Sequence, residues 1–370
     1  MYINVKAETY KINDPSKILT PALIYYEDII RENTKKVIEM AGGPRRLWPH
    51  VKSHKMTEMV KMQLHMGITR FKCATLAEAE MAAAAGAGHV LLAYPLVGPN
   101  MNEYLNLTKK YPAAKFYALG DDLNCLAELD AKAAELGVNT GFFIDVNMGM
   151  NRTGVETGSL YEFVKAALKL ASIRFCGLHC YDGQVHTADI TERGKEVEAM
   201  TADIQKVIRM LKSDGVEIPA VIAGGSPTFP CHIPQQDVFL SPGTVFLWDS
   251  GYLSSYPDLG LTPGAAVMTR VISHPAQGLF TLDLGCKAIA CDPQGSRGVV
   301  TGLEHASALF QSEEHWVYKM DPGFENHRPR IGEVFYVIPT HICPTTALYS
   351  RAITVKNGEV TGSWHVDARR

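Results

Sequence analysis

Between residues 20 and 240 the chain repeats one local pattern, a short apolar run followed by a longer stretch with helical apolar spacing. The runs fall at 20–26, 70–74, 90–93, 115–118, 141–146, 175–180, 220–223 and 239–240, with helices at 27–40, 57–66, 76–85, 101–111, 123–136, 158–171 and 190–213. An additional extended stretch, Trp48-Pro49-His50-Val51-Lys52-Ser53-His54-Lys55, follows the turn Gly42-Gly43-Pro44. Strands joined by single helices pair in parallel, and roughly eight such units close a (β/α)8 barrel. A doubly wound open sheet is the alternative. From about residue 265 the beat changes to strands at 265–273, 278–284, 316–318, 333–337, 352–356 and 359–366, with few helices between them. The expected organisation is a barrel over 20–250 and a mostly β domain made of 1–19 plus 251–370.

Composition narrows the function. A net charge of -3, spread without blocks, gives no footprint for nucleic acid or an anionic membrane, so a small-molecule substrate is expected. No run approaches the length of a membrane span, and the opening Met1-Tyr2-Ile3-Asn4-Val5-Lys6 lacks the pattern of a secretory leader. Eight cysteines, several in apolar contexts such as Phe71-Lys72-Cys73 and Phe175-Cys176-Gly177, read as free thiols in a reducing compartment, so a cytoplasmic location is expected.

In a βα barrel the chemistry sits at the C-terminal ends of the strands. If 48–55 is a strand, His50, Lys52 and His54 share one face, and a desolvated Lys52 becomes a nucleophile toward a carbonyl; the alternative is an ordinary solvated charge. After the 141–146 strand, the loop Asn147-Met148-Gly149-Met150-Asn151-Arg152-Thr153-Gly154 offers Arg152 to a ring nitrogen or carboxylate, or to solvent. The 175–180 strand ends in His179-Cys180-Tyr181-Asp182-Gly183-Gln184-Val185-His186, rich in proton-transfer side chains that can equally be structural. Gly224-Gly225-Ser226-Pro227-Thr228 and Ser241-Pro242-Gly243-Thr244 have the glycines and hydroxyls of paired phosphate loops, or of tight turns. In the β domain, His341 and Cys343 at alternate positions of a strand end could share a metal, imidazole plus thiolate favouring zinc; a buried thiol beside a structural histidine is the alternative.

Together the Pro49-His50-Val51-Lys52-Ser53-His54-Lys55, Asn151-Arg152-Thr153-Gly154, Gly224-Gly225-Ser226-Pro227-Thr228 and His341-Ile342-Cys343 motifs resemble the D-threonine aldolase and D-serine dehydratase family of alanine racemase-like pyridoxal phosphate enzymes. The likeness runs in the same motif order from about residue 20 to the C-terminus. It implies that Lys52 holds pyridoxal phosphate as a Schiff base, that Arg152 approaches the pyridine nitrogen, and that Gly225, Ser226, Gly243 and Thr244 hold the phosphate. It also implies that His341 and Cys343 bind a divalent metal, zinc or else manganese or magnesium. Trp48 stands where the family has arginine, and Ser53 where it has threonine.

The resemblance further implies a D-β-hydroxy amino acid substrate and a homodimer. Retro-aldol cleavage to glycine and an aldehyde, with His179 or His186 as base, is the leading expectation. The alternatives are D-serine dehydration to a 2-oxo acid and ammonia, racemisation with Tyr181 as second base, and a non-catalytic cofactor carrier. Tyr181 is counted with both the cofactor-contacting and the catalytic residues.

Overall fold

The computed structural model describes residues 6–369, so residues 1–5, including most of the opening read for a leader, and Arg370 lie outside the described residues. The chain forms two compact units, Lys35–Gly243 and the residues up to Thr34 together with Thr244–Arg369. The strands β1 (Ala22–Tyr26), β2 (Arg70–Cys73), β3 (His89–Pro95), β4 (Lys115–Gly120), β5 (Thr140–Asn147), β6 (Val155–Glu156), β7 (Ile173–Cys180), β8 (Val221–Ala223) and β9 (Val238–Leu240) come first in the chain.

Strands β2, β3, β4, β5, β7, β8 and β9 pair in that order, all in parallel, with β6 as a short ribbon on β5. The eighth place is filled by residues 47–50. Leu47 bridges Leu240 and His50 bridges Lys72, both in parallel. The Trp48 and His50 N–H groups donate to the Leu240 and Pro242 carbonyls at 2.8 and 2.9 Å, and the Lys72 N–H donates to the Pro49 carbonyl at 2.7 Å. An eight-membered parallel ring is thereby closed, the barrel expected from the alternation. The helices between its strands start on side-chain caps where the sequence offers them: Thr75, Asp122 and Asp189 each accept an N–H of the first turn.

The β1 strand, which the alternation alone would assign to the barrel, pairs with strands of the other unit. That unit adds β10 (Ala265–Ser273), β11 (Leu279–Leu282), β12 (Gly298–Val300), β13 (Ala306–Gln311), β14 (Trp316–Met320), β15 (Val334–Pro339), β16 (Arg351–Lys356) and β17 (Glu359–His365). Its main sheet runs β13-β14-β11-β10-β1-β16-β17, with β15 on β10 and β12 on β15. Residues of β1 are buried on both faces, and Ile24 and Tyr26 pack with Tyr10, Ile12, Met268, Tyr336 and Val355 in one core. Apolar burial of this kind, on the order of 25 cal/mol per Å², outweighs the local βα pattern that points β1 toward the barrel. Strands β12 and β13 were not expected; β13 leaves Leu309 and Phe310 exposed and so lacks the alternation that marks a half-buried strand.

Candidate active site

Inside the barrel the side chains form layers, because alternate residues of each strand point inward. The lower layer is aromatic: Trp48, Leu91, Tyr117, Leu119, Phe143, Cys176 and Ile222 make one buried cluster. Trp48 meets Tyr117, Phe143 and Phe239 edge-on and donates its indole N–H to the Phe71 carbonyl at 3.0 Å. One step further along the strands the interior turns polar. His50 follows Trp48, Lys72 follows Arg70, and Asp145 follows Phe143, each two residues on.

His179 reaches this polar layer by a bulge. Cys176 packs in the aromatic cluster three residues earlier, so a regular strand would turn His179 away from the interior. The register of β7 against β5 shifts between Phe142 and Phe143, opposite Phe175 and Gly177. Gly177 adopts φ +133°, and a Cβ there would lie 1.8 Å from the Ala220 carbonyl oxygen, so only glycine fits. The extra residue re-aims the strand and brings His179 inward.

The polar layer is one hydrogen-bonded chain. His179 Nδ1 lies 2.7 Å from Asp145 Oδ1, and the Thr153 hydroxyl donates to Asp145 Oδ2 at 2.7 Å. Lys72 Nζ lies 3.4 Å from His179 Nε2. Lys72, Asp145 and His179 are 3, 4 and 5% exposed. Burial raises the Asp145 carboxyl, but hydrogen bonds from His179 and Thr153 outweigh it and hold the group below its ordinary range. Burial and the Lys72 charge hold His179 below the usual imidazole value. The pair is therefore a carboxylate accepting from a neutral imidazole, which fixes the proton on Nδ1 and leaves Nε2 as acceptor. Burial and the nearby Lys52 charge bring the Lys72 amine down to about 7. Sequence reasoning missed Lys72. Its signal was a lysine between Phe71 and Cys73 on a barrel strand, with its side chain on the inward face.

Above this layer, Arg152 and Lys72 lie over the same Tyr181 ring, at 5.4 and 5.3 Å from its centre. The Arg152 loop is pinned from within: Asn147 Oδ1 accepts the N–H groups of Gly149 and Asn151, and the Gly154 N–H donates to Asp121. The two glycine loops follow the paired strands β8 and β9 and are joined by a Gly243 N–H to Ser226 hydroxyl bond of 3.3 Å. Thr228 differs from expectation. Its hydroxyl donates to Asp182 Oδ1 at 2.6 Å and accepts the Gly225 N–H, so it buttresses the loop. Asp182 is in turn held by the buried His232 at 2.7 Å, another support that the sequence did not disclose.

Lys52 is not on a strand. The chain turns after His50 into a single 3-10 turn, Val51–Ser53, capped by His50 Nδ1 accepting the Lys52 N–H at 3.3 Å. Lys52 is exposed at the end of the 47–50 segment and not buried in a barrel wall. His54 is buried, its Nδ1 accepting the Met56 N–H, and burial lowers it to about 3. Lys55 pairs with the buried Glu78, and His186 is exposed.

In the β unit, His341 and Cys343 stand at a helix start and not at alternate strand positions: His341 immediately precedes the helix Ile342–Leu348, and Cys343 is in its first turn. His341 Nδ1 lies 3.3 Å from the exposed Asp292 carboxylate, and Cys343 Sγ lies 3.3 Å from the Thr244 hydroxyl. Asp249 accepts the Ile342 N–H at 3.1 Å and fixes the turn that presents the pair; burial pushes its carboxyl up to about 7. Among the described residues no group of three or more histidine, cysteine or acidic side chains is placed to hold a metal.

Comparison with known proteins adds the family. The alanine racemase, N-terminal domain model matches residues 27–249, and a serine dehydratase domain model matches 264–355. The chain belongs to the alanine racemase N-terminal-domain family. It is 27% identical to 3-hydroxy-D-aspartate aldolase from Paracoccus denitrificans (strain Pd 1222) over 96% of this chain and 93% of that protein. It is also 27% identical to D-threonine aldolase from an Arthrobacter species, over 87% of this chain and 85% of that one. The crystal structure of D-threonine aldolase from Filomicrobium marinum superposes with a TM-score of 0.87 at 26% identity, covering 95% of this chain and 96% of that chain. Within the family, the chain is an enzyme of the D-threonine aldolase and D-serine dehydratase group of pyridoxal phosphate-dependent lyases. No helix among the described residues is long and apolar enough to cross a membrane.

The residues present fit the groups that this family implies. For pyridoxal phosphate, the barrel offers an accessible amine, a guanidinium over an aromatic ring, and two joined glycine loops. A Cβ on Gly225 would sit 3.2 Å from the Tyr181 ring and one on Gly243 3.3 Å from His50, so the bareness of the cradle is structural. For a metal, His341 and Cys343 supply one nitrogen and one sulfur, and Asp292 stands where a carboxylate orients a ligating imidazole.

Proposed function

We propose that this enzyme is a pyridoxal phosphate- and divalent-metal-dependent lyase that cleaves D-β-hydroxy amino acids to glycine and an aldehyde. The observation that carries the reading is the buried Asp145–His179 pair: the carboxylate fixes the ring proton on Nδ1 and turns the acceptor nitrogen into the barrel, while burial and the Lys72 charge hold the imidazole below its usual value. Retro-aldol cleavage needs such a base, because the β-hydroxyl must lose its proton as the Cα–Cβ bond breaks. His179 takes that proton, and one proton returns to the α-carbon to complete glycine. His186, exposed, has no comparable support.

Lys52 would hold the cofactor aldehyde, Arg152 and Tyr181 would face its ring, and Gly225, Ser226, Gly243 and Thr244 would hold its phosphate. When bound, pyridoxal phosphate supplies an electron sink for the pair left on the α-carbon. His341 and Cys343 would hold the metal, zinc by the softness of their donors, and it would supply Lewis acidity toward the substrate hydroxyl. The near full-length similarity to two aldolases supports this choice of reaction.

Dehydration is the second reading, favoured by the serine dehydratase domain match over the segment that contains His341 and Cys343. The test is a chelator series on the wild type and C343A. Acetaldehyde and glycine from D-threonine, lost on chelation and restored by zinc in the wild type alone, is the expected result. Pyruvate and ammonia from D-serine, with no aldehyde from D-threonine, would overturn the aldolase reading.

A further inference from the structure

We propose that Lys72 is a positioning residue which lies across the bore of the barrel against His179 and decides, by its own protonation, whether that imidazole can accept the substrate's hydroxyl proton. The proposal rests on the lyase reading above.

Geometry makes the case. In the ring order 47–50, β2, β3, β4, β5, β7, β8, β9, three strands separate β2 from β7 on either side. Lys72 therefore crosses from one wall to the opposite one and ends 3.4 Å from His179 Nε2. Because Nδ1 is committed to Asp145, Nε2 is the nitrogen that must gain a proton during cleavage. An ammonium in that position has three N–H donors and no lone pair. It can donate to neutral His179 but cannot accept from a protonated one, and it would leave two adjacent buried cations. A neutral amine serves both states: it donates to the single Nε2 lone pair in the resting enzyme, yields that lone pair when the substrate hydroxyl delivers its proton, and can then accept from Nε2–H. The hydroxyl proton moves to His179, the bond between the two nitrogens reverses direction, and Lys72 itself gains and loses nothing.

The surroundings put this switch in the ordinary pH range. Burial draws the Lys72 amine down to about 7, with Lys52 and Arg152 pushing the same way and Asp182 and Asp145 opposing. His50, on the neighbouring segment, is kept well below its usual value by burial first and then by the Lys52 and Lys72 charges, so it adds no charge of its own. The Tyr181 ring face, 5.3 Å from Nζ, is the remaining neighbour that can favour the cation.

The experiment follows His179 by NMR across pH in uniformly labelled, substrate-free protein, assigned with H179Q, in the wild type, K72M and K72R. Methionine matches the length and buried setting of Lys72, and K72Q serves if K72M does not fold. We expect His179 to titrate at higher pH in K72M or K72Q than in the wild type, and to remain lowered in K72R. We also expect K72R to release aldehyde about tenfold or more slower than K72M while keeping the visible absorbance of bound cofactor. Unchanged titration of His179 on removal of the Lys72 charge, or equal rates in K72R and K72M, would overturn the proposal. A His179 shift without any cleavage of D-β-hydroxy amino acids would instead sink the lyase reading and leave the Lys72 brace standing.

Discussion

Replacing Asp145 by asparagine asks how much of the chemistry depends on one buried carboxylate. In the wild type its two oxygens accept from His179 Nδ1 at 2.7 Å and from the Thr153 hydroxyl at 2.7 Å, with only 4% of the residue exposed. D145N keeps the shape but removes the negative charge and turns one acceptor into a donor, so one of the two partners must reverse its bond and both bonds lose their charged acceptor. A hydrogen bond to a charged group is worth about 1.5–3 kcal/mol. At about 1.36 kcal/mol per tenfold in rate, kcat should fall roughly ten- to a hundredfold. If the amide N–H₂ faces His179, the ring proton moves to Nε2 and the base is lost altogether, so the upper part of that range is the expectation. The assay is kcat for aldehyde release, with cofactor absorbance and thermal unfolding as controls on binding and folding. A folded, cofactor-loaded D145N with kcat within about twofold of the wild type would refute the role given to the Asp145–His179 pair.

Three further outcomes follow from the same geometry. K52A should lose the visible absorbance of covalently held cofactor, and borohydride reduction of the wild type should label the peptide with Lys52 and not the one with Lys72, as peptide mass spectrometry will read. G177A should be poorly folded or lose several degrees of thermal stability, because a Cβ 1.8 Å from a backbone oxygen, at φ +133°, forces the strand to move; an unchanged Tm would show that the bulge is not needed. For Lys72 the folded value, about 7, lies below the unfolded one near 10.4, so its contribution to stability is complete above about pH 10.4 and is lost as pH falls through about 7. The denaturant midpoint of K72M should therefore vary less between pH 7 and 10 than that of the wild type, and equal slopes would contradict a neutral buried amine.

The barrel was legible because its strands and helices alternate in period and in composition, and those signals are local. The closing strand was only partly so: 47–50 looked like the start of a longer strand, because nothing local announces the 3-10 turn at Val51–Ser53 that His50 caps. The placement of β1 turned on burial against β10 and β16, partners more than 200 residues away in sequence. Among the candidate residues, Arg152, His179 and Tyr181 could be proposed from sequence because polar types followed apolar strands, and Gly225, Ser226 and Gly243 because glycines and hydroxyls followed two late ones. Asp145, Lys72 and Asp182 were not singled out. Each lies within a strand or turn and acquires its importance from what the barrel brings opposite it: His179 for the first two, His232 and Thr228 for the third.

The most direct test is product analysis. The pure protein, supplied with pyridoxal phosphate and zinc, is incubated in separate reactions with D-threonine, D-3-hydroxyaspartate and D-serine, and aldehyde, glycine, 2-oxo acid and ammonia are each assayed. Glycine with an equimolar aldehyde is expected from D-threonine or D-3-hydroxyaspartate. A 2-oxo acid with equimolar ammonia, and no aldehyde from either β-hydroxy substrate, would contradict the aldolase reading.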